Sequence, residues 1–113
     1  MHVVHLMKPT LRASMLVLAA AALLESAAAQ DARALLQLRS LAATCAQCHG
    51  TDGRAPADAL VPGLAGMPAA LLVERMEAFK AGTRAATLMP QLAKGFTDTQ
   101  IRQLAAYFAA QPR

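Results

Sequence analysis

Cys45-Ala46-Gln47-Cys48-His49 is the stretch of this 113-residue sequence from which the rest is best read. Thiols at positions i and i+3, followed at once by an imidazole, fit few chemistries. One is C-x-x-C-H, the attachment motif for a c-type haem. At that spacing both thiols reach the vinyl groups of one porphyrin as thioethers, and the adjoining histidine directs a ring nitrogen to the iron. The rivals are a structural zinc site, a redox-active dithiol and a plain disulfide.

The sequence upstream bears on that choice. A basic start with Lys8 and Arg12 leads into the apolar run Ala13-Ser14-Met15-Leu16-Val17-Leu18-Ala19-Ala20-Ala21-Ala22-Leu23-Leu24, and small residues follow at Ala27-Ala28-Ala29. This order is that of a secretory signal peptide. A spanning helix needs about 20 predominantly apolar residues, and Glu25 interrupts this run first, so no membrane span is expected after processing. The expected division is residues 1–29 as signal peptide and 30–113 as one domain, exported to the periplasm. His2 and His5 leave with the signal, which makes His49 the sole remaining imidazole. A structural zinc site, which needs four protein ligands, is then left short.

A dithiol redox pair belongs beside a βαβ pattern, and none is readable. A disulfide closing so short a loop adds little stability and leaves His49 without a role. Residues 30–113 are also few for a self-sufficient core. The bulky side chains are scarce: Phe79, Phe96, Tyr107 and Phe108, with no Trp. A haem would supply the missing apolar mass. The net charge of +4 is scattered over Arg54, Arg75, Lys80, Arg84, Lys94 and Arg102, a pattern that suits docking to an acidic protein face rather than nucleic-acid binding. Lys80, Arg84 and Lys94 are the expected rim of that face.

The periodicity is helical and nowhere alternating. From Asp31 to about Cys48, the residues Leu38, Leu41, Ala42 and Cys45 fall on one helical face. Gly50 to Gly66 reads as loop, long enough for so small a domain to suggest that it wraps around something. Pro68 opens a second helix, with Leu72, Met76 and Phe79 on one side and Gly82 as its stop. Thr83 to Phe96 reads as a second irregular stretch. Thr97-Asp98-Thr99-Gln100 then matches a capping box and begins a last helix whose apolar side is Ile101, Leu104, Ala105 and Phe108. The expected fold class is all-α, with three main helices and long loops wrapped around one covalent haem.

A second axial ligand must come from Met67, Met76 or Met89. Met76 lies on an apolar stripe, where methionine is an ordinary core filler, and Met67 precedes Pro68 at a helix entry. Met89 sits between helices beside Pro90, which holds it away from helical geometry, and is the preferred ligand. In Val61-Pro62-Gly63-Leu64-Ala65-Gly66, a carbonyl can accept the other ring N–H of His49, although an ordinary surface turn reads the same way.

These residues resemble the class I cytochromes c over Leu41 to Phe108. Pro62-Gly63-Leu64-Ala65-Gly66, Met89 and Lys94-Gly95-Phe96-Thr97-Asp98 are similar to the haem subunit of flavocytochrome c sulfide dehydrogenase and related short periplasmic cytochromes. The resemblance implies a cytochrome c-like fold in which Pro62 supplies the carbonyl to His49, Leu64 packs on the haem, Met89 is the distal ligand, and Tyr107 or Phe108 sits where the terminal helices cross. It also implies a redox partner protein, such as a sulfide-oxidising flavoprotein subunit, and no catalytic site on this chain. Gly63 and Pro90 depart from that pattern. The competing reading is a five-coordinate haem protein that binds ligands, senses gas or acts as a peroxidase.

Overall fold

The computed structural model describes the backbone from Pro9 and the side chains from Glu25 onward. Residues 1–8, and with them Lys8 of the basic start, lie outside the described residues. The chain divides into two compact units, Met1–Leu36 and Gln37–Arg113. The described part of the first is helix throughout. The elements in order are α1 (Pro9–His49), a 3-10 turn (Thr51–Gly53), α2 (Ala69–Ala81), α3 (Met89–Lys94) and α4 (Asp98–Ala109). No strand occurs among the described residues, and no described helix is long and apolar enough to cross a membrane. The helix expected from Asp31 is the last part of α1, which starts well before it. That upstream sequence is rich in Ala and Leu, the residues that lose least on entering a helix.

In the second unit, the core consists of Ala42 from α1, Leu72 and Met76 from α2, Ala93 from α3, and Ile101, Leu104, Ala105 and Phe108 from α4. Ile101, Leu104 and Phe108 are at most 1% exposed, and complete burial of each such side chain is worth about 1.5–3 kcal/mol. The α4 stripe read from the sequence is therefore the centre of the core. Helix α2 packs against both α3 and α4.

The helix ends are held by local chemistry. Pro68 caps α2, where its missing N–H costs nothing. At the other end, Gly82 N–H donates to Phe79 O (3.1 Å) and Thr83 N–H to Ala78 O (3.0 Å), the paired bonds of a Schellman turn. The capping box of α4 is present in full. Thr97 Oγ1 accepts from Gln100 N–H at 3.1 Å, and Gln100 Oε1 accepts from Thr97 N–H at 2.8 Å.

One expectation needs correction. Thr83–Phe96 is not wholly irregular, because Met89–Lys94 forms the short helix α3. Pro90 falls in its first turn, where no intrahelical N–H bond is lost, so the proline that suggested a loop is compatible with a helix start. Lys80 Nζ donates to Phe96 O at 2.9 Å and to Asp98 Oδ1 at 2.8 Å, joining α2 to the start of α4. Arg84 lies over the Phe79 ring, 5.3 Å from its centroid.

Candidate haem-attachment site

Helix α1 delivers Cys45, Cys48 and His49 at its C-terminal end. Cys45 is half-buried against the core and Cys48 is exposed; both thiols are free. Burial pushes the Cys45 thiol up, and a hydrogen bond with the Thr44 hydroxyl partly opposes this.

The chain turns sharply after His49. Asp52 adopts a left-handed conformation (φ 53°), followed by Gly53 at φ 78°. A side chain at Gly53 would meet Ala65 N at 2.8 Å and Leu64 Cβ and Phe108 Cδ1 at 2.9 Å. Glycine is required there because the loop crosses directly over the buried face of α4. The Gly53 carbonyl accepts from Leu64 N–H (2.8 Å) and Ala65 N–H (3.1 Å), which fixes the Pro62–Ala65 segment beside the motif.

The result of that folding is a hydrogen bond from His49 Nδ1 to Pro62 O of 2.7 Å. A carbonyl can only accept, so Nδ1 carries the proton. The other ring nitrogen, Nε2, keeps its lone pair free for a metal, and the ring orientation is set. Leu64, two residues on, is half-buried against the core cluster. Met89 is the first residue of α3, half-buried and packed on the same cluster. No hydrogen bond among the described residues joins it to the His49–Pro62 pair. Met76 is a core residue, and Met67 Sδ accepts a long contact from Arg75 Nη1 at 3.9 Å.

Asp52 and Tyr107 form a feature that the sequence reading passed over. Tyr107 Oη donates to Asp52 Oδ1 at 2.6 Å, and Arg54 Nη1 lies 3.5 Å from Asp52 Oδ2. Helix α4 thereby grips the turn that follows His49. The short run His49-Gly50-Thr51-Asp52-Gly53, with an acid between two glycines, is the sequence signal of that turn.

The donor set suits a covalently held haem. It offers two unpaired thiols three positions apart, and an imidazole whose tautomer leaves Nε2 free. Among the described residues, no group of three or more His, Cys, Asp or Glu side chains could hold a metal ion by itself.

The family model described as cytochrome C oxidase, cbb3-type, subunit III matches residues 30–108. The chain is 39% identical over 71 residues to cytochrome c-554(548) of Halomonas halodenitrificans, covering 60% of this chain and 84% of that protein. It is 37% identical over 68 residues to the cytochrome subunit of sulfide dehydrogenase of Chlorobaculum tepidum, covering 60% of each. It is 40% identical over 70 residues to cytochrome c4 of Pseudomonas aeruginosa, covering 62% of this chain but 34% of that protein. The chain thus spans most of the first relative, about three fifths of the second and about a third of the third.

Proposed function

This chain belongs to the class I c-type cytochromes, and on that premise we propose that it is an exported electron carrier with one haem, whose iron His49 and Met89 would hold. The haem c is single and covalent, attached through Cys45 and Cys48, and it supplies one-electron redox chemistry. The chain's own residues bind it, fix its axial imidazole and limit its contact with water.

The observation that carries the reading is the 2.7 Å contact between His49 Nδ1 and Pro62 O. It gives the imidazole one orientation and raises the donor strength of Nε2. A thioether sulfur opposite such an imidazole raises the reduction potential of a haem. Met89 is suited to that place: it stands at the start of α3, and packing on α2 and the core restrains it. If His49 and Met89 both held the iron, gain or loss of an electron would require little rearrangement of the chain.

Residues 1–29 act as the signal peptide in this reading, and residues 30–113 as the periplasmic domain. The partner is a dehydrogenase subunit that hands electrons to this chain. Relatives named as the cytochrome subunit of sulfide dehydrogenase and as thiosulfate dehydrogenase electron acceptors support that choice, and a flavoprotein sulfide dehydrogenase subunit is the specific form of it.

The test is spectroscopic. Purified from a host that attaches haem c, the protein is expected to be low-spin in both oxidation states and slow to bind carbon monoxide. Met89→Ala should open the sixth position, lower the midpoint potential and admit carbon monoxide rapidly. An unchanged spectrum and potential in Met89→Ala would remove Met89 as ligand, and rapid binding to the unmodified protein would favour the five-coordinate reading. Co-purification from the periplasm identifies the partner.

A further inference from the structure

A cavity of about 470 Å³ lies between the loop carrying Gly53, Gly63 and Ala65, the first turns of α2, and the C-terminal tail, and none of Cys45, Cys48, His49 or Met89 lines it. Arg54, Arg75 and Arg113 all line it, and no acidic residue does. Of the three, only Arg54 faces a carboxylate. Arg54 donates from Nε to Pro112 O at 3.1 Å and faces Asp52, whose other oxygen is taken by Tyr107. Arg113 has one bond, from Nη2 to Gly66 O at 2.9 Å. Arg75, which is half-buried, reaches only the Met67 sulfur, at 3.9 Å. Sulfur is a weak acceptor, and no carboxylate among the described residues pairs with this guanidinium.

Guanidinium groups repel one another, and holding them around one concave surface costs free energy unless a counter-charge enters. Their planar forks of N–H donors match the oxygens of phosphate-like anions in paired bonds. The rest of the lining is apolar, from Ala55, Ala65, Met67 and Leu71, and the volume exceeds what one small ion fills. We propose that this cavity is a binding site for a doubly charged oxyanion of the phosphate type, either free or carried on a small apolar body, held between Arg54, Arg75 and Arg113. These arginines come from three separate segments, so the occupied site ties the loop, α2 and the C-terminal tail together. The proposal is independent of the axial ligation of the haem.

The test is calorimetric titration of the haem-loaded protein at neutral pH and fixed ionic strength, with inorganic phosphate in one arm and phenyl phosphate in the other. Saturable one-site binding in either arm is expected, with the tighter arm showing whether the free ion or the apolar body is preferred. Arg75→Gln should weaken it roughly tenfold or more, the loss of one charge-assisted pair. Arg113→Gln, at an exposed terminal position, should weaken it as well, and it decides the matter should Arg75→Gln fail to fold. Arg102→Gln is the control, since Arg102 is exposed on α4, outside the cavity, and bonds Thr99. No saturable binding in either arm, or an equal loss in the Arg102 control, would overturn the site. The haem absorption spectrum should be the same in every variant, which separates failure of this site from failure of the haem assignment.

Discussion

Tyr107→Phe removes one oxygen and leaves the ring, so it isolates the bond between α4 and the turn after His49. The ring packs edge-on against Phe108, with centroids 5.2 Å apart, and phenylalanine preserves that contact. The lost bond is short, 2.6 Å, and its acceptor is a carboxylate. Bonds to charged groups contribute about 1.5–3 kcal/mol. Both partners are half-buried rather than fully enclosed, and Arg54 stays near the second oxygen of Asp52, which places the expected loss near the lower limit, about 1.5 kcal/mol. For a domain of this size that corresponds to a fall in Tm of roughly 6–12 °C. Asp52 also sits in a left-handed conformation that tends to relax once its partner is gone, and the relaxation should loosen Gly53 and the segment that ends at Pro62. Denaturant unfolding of the haem-loaded protein measures the loss, and proton NMR of His49 Nδ1–H reports on its bond to Pro62. In the Tyr107→Phe background, Asp52→Asn should cost much less than it does alone, because both changes break the same contact. A loss under about 0.5 kcal/mol, with additive double-mutant energies, would refute the claim that this contact holds the turn. The pH dependence has a definite sign. The hydrogen bond to Asp52 raises the Tyr107 pKa, with burial adding to it. The neutral phenol is therefore favoured in the folded state. Its stabilisation is complete below the ordinary tyrosine pKa of about 10 and is lost as pH climbs through the raised value. Tyr107→Phe should abolish that alkaline loss.

Gly53→Ala forces a Cβ to within 2.9 Å of Leu64 Cβ and Phe108 Cδ1 at a positive φ, and should cost more than about 2 kcal/mol by denaturant unfolding, through strain and overpacking together. Thr97→Ala removes half of the capping box and should cost about 1 kcal/mol, with increased hydrogen exchange confined to the first turn of α4. The Asp98 pKa is lowered, first by the hydrogen bond from Lys80 and then by its charge. The carboxylate's contribution to stability is present above the ordinary Asp pKa of about 3.9 and is lost as pH falls through the lowered value. Asp98→Asn should remove that acid-side dependence, and added salt should shrink it in the unmodified protein.

Much of the site was legible from local pattern. Cys45, Cys48 and His49 are adjacent in sequence, so one helix end must present them together, and no tertiary knowledge is needed to name the cofactor. The capping box at Thr97–Gln100, the stop at Gly82 and the buried face of α4 were readable for the same reason: each depends on residues within one or two helical turns. Helix α3 was not readable. Six residues carry too little periodicity to separate a short helix from a loop, and Pro90 favours a loop until it is known to lie in a first turn. The pairing of Lys80 with Asp98 was not readable because the two lie eighteen positions apart.

The sequence by itself determined the haem chemistry, the all-helical class and the core face of the last helix, since spacing along the chain already specifies thiol reach and helical phase. The tertiary structure alone decided what surrounds the motif: that Tyr107 reaches across 55 positions to Asp52, and that Arg54, Arg75 and Arg113 converge on one cavity. Contacts between residues distant along the chain depend on how loops close and helices pack. No local periodicity encodes that closure, and so Cys45-Ala46-Gln47-Cys48-His49 names the cofactor without revealing what holds its histidine in place.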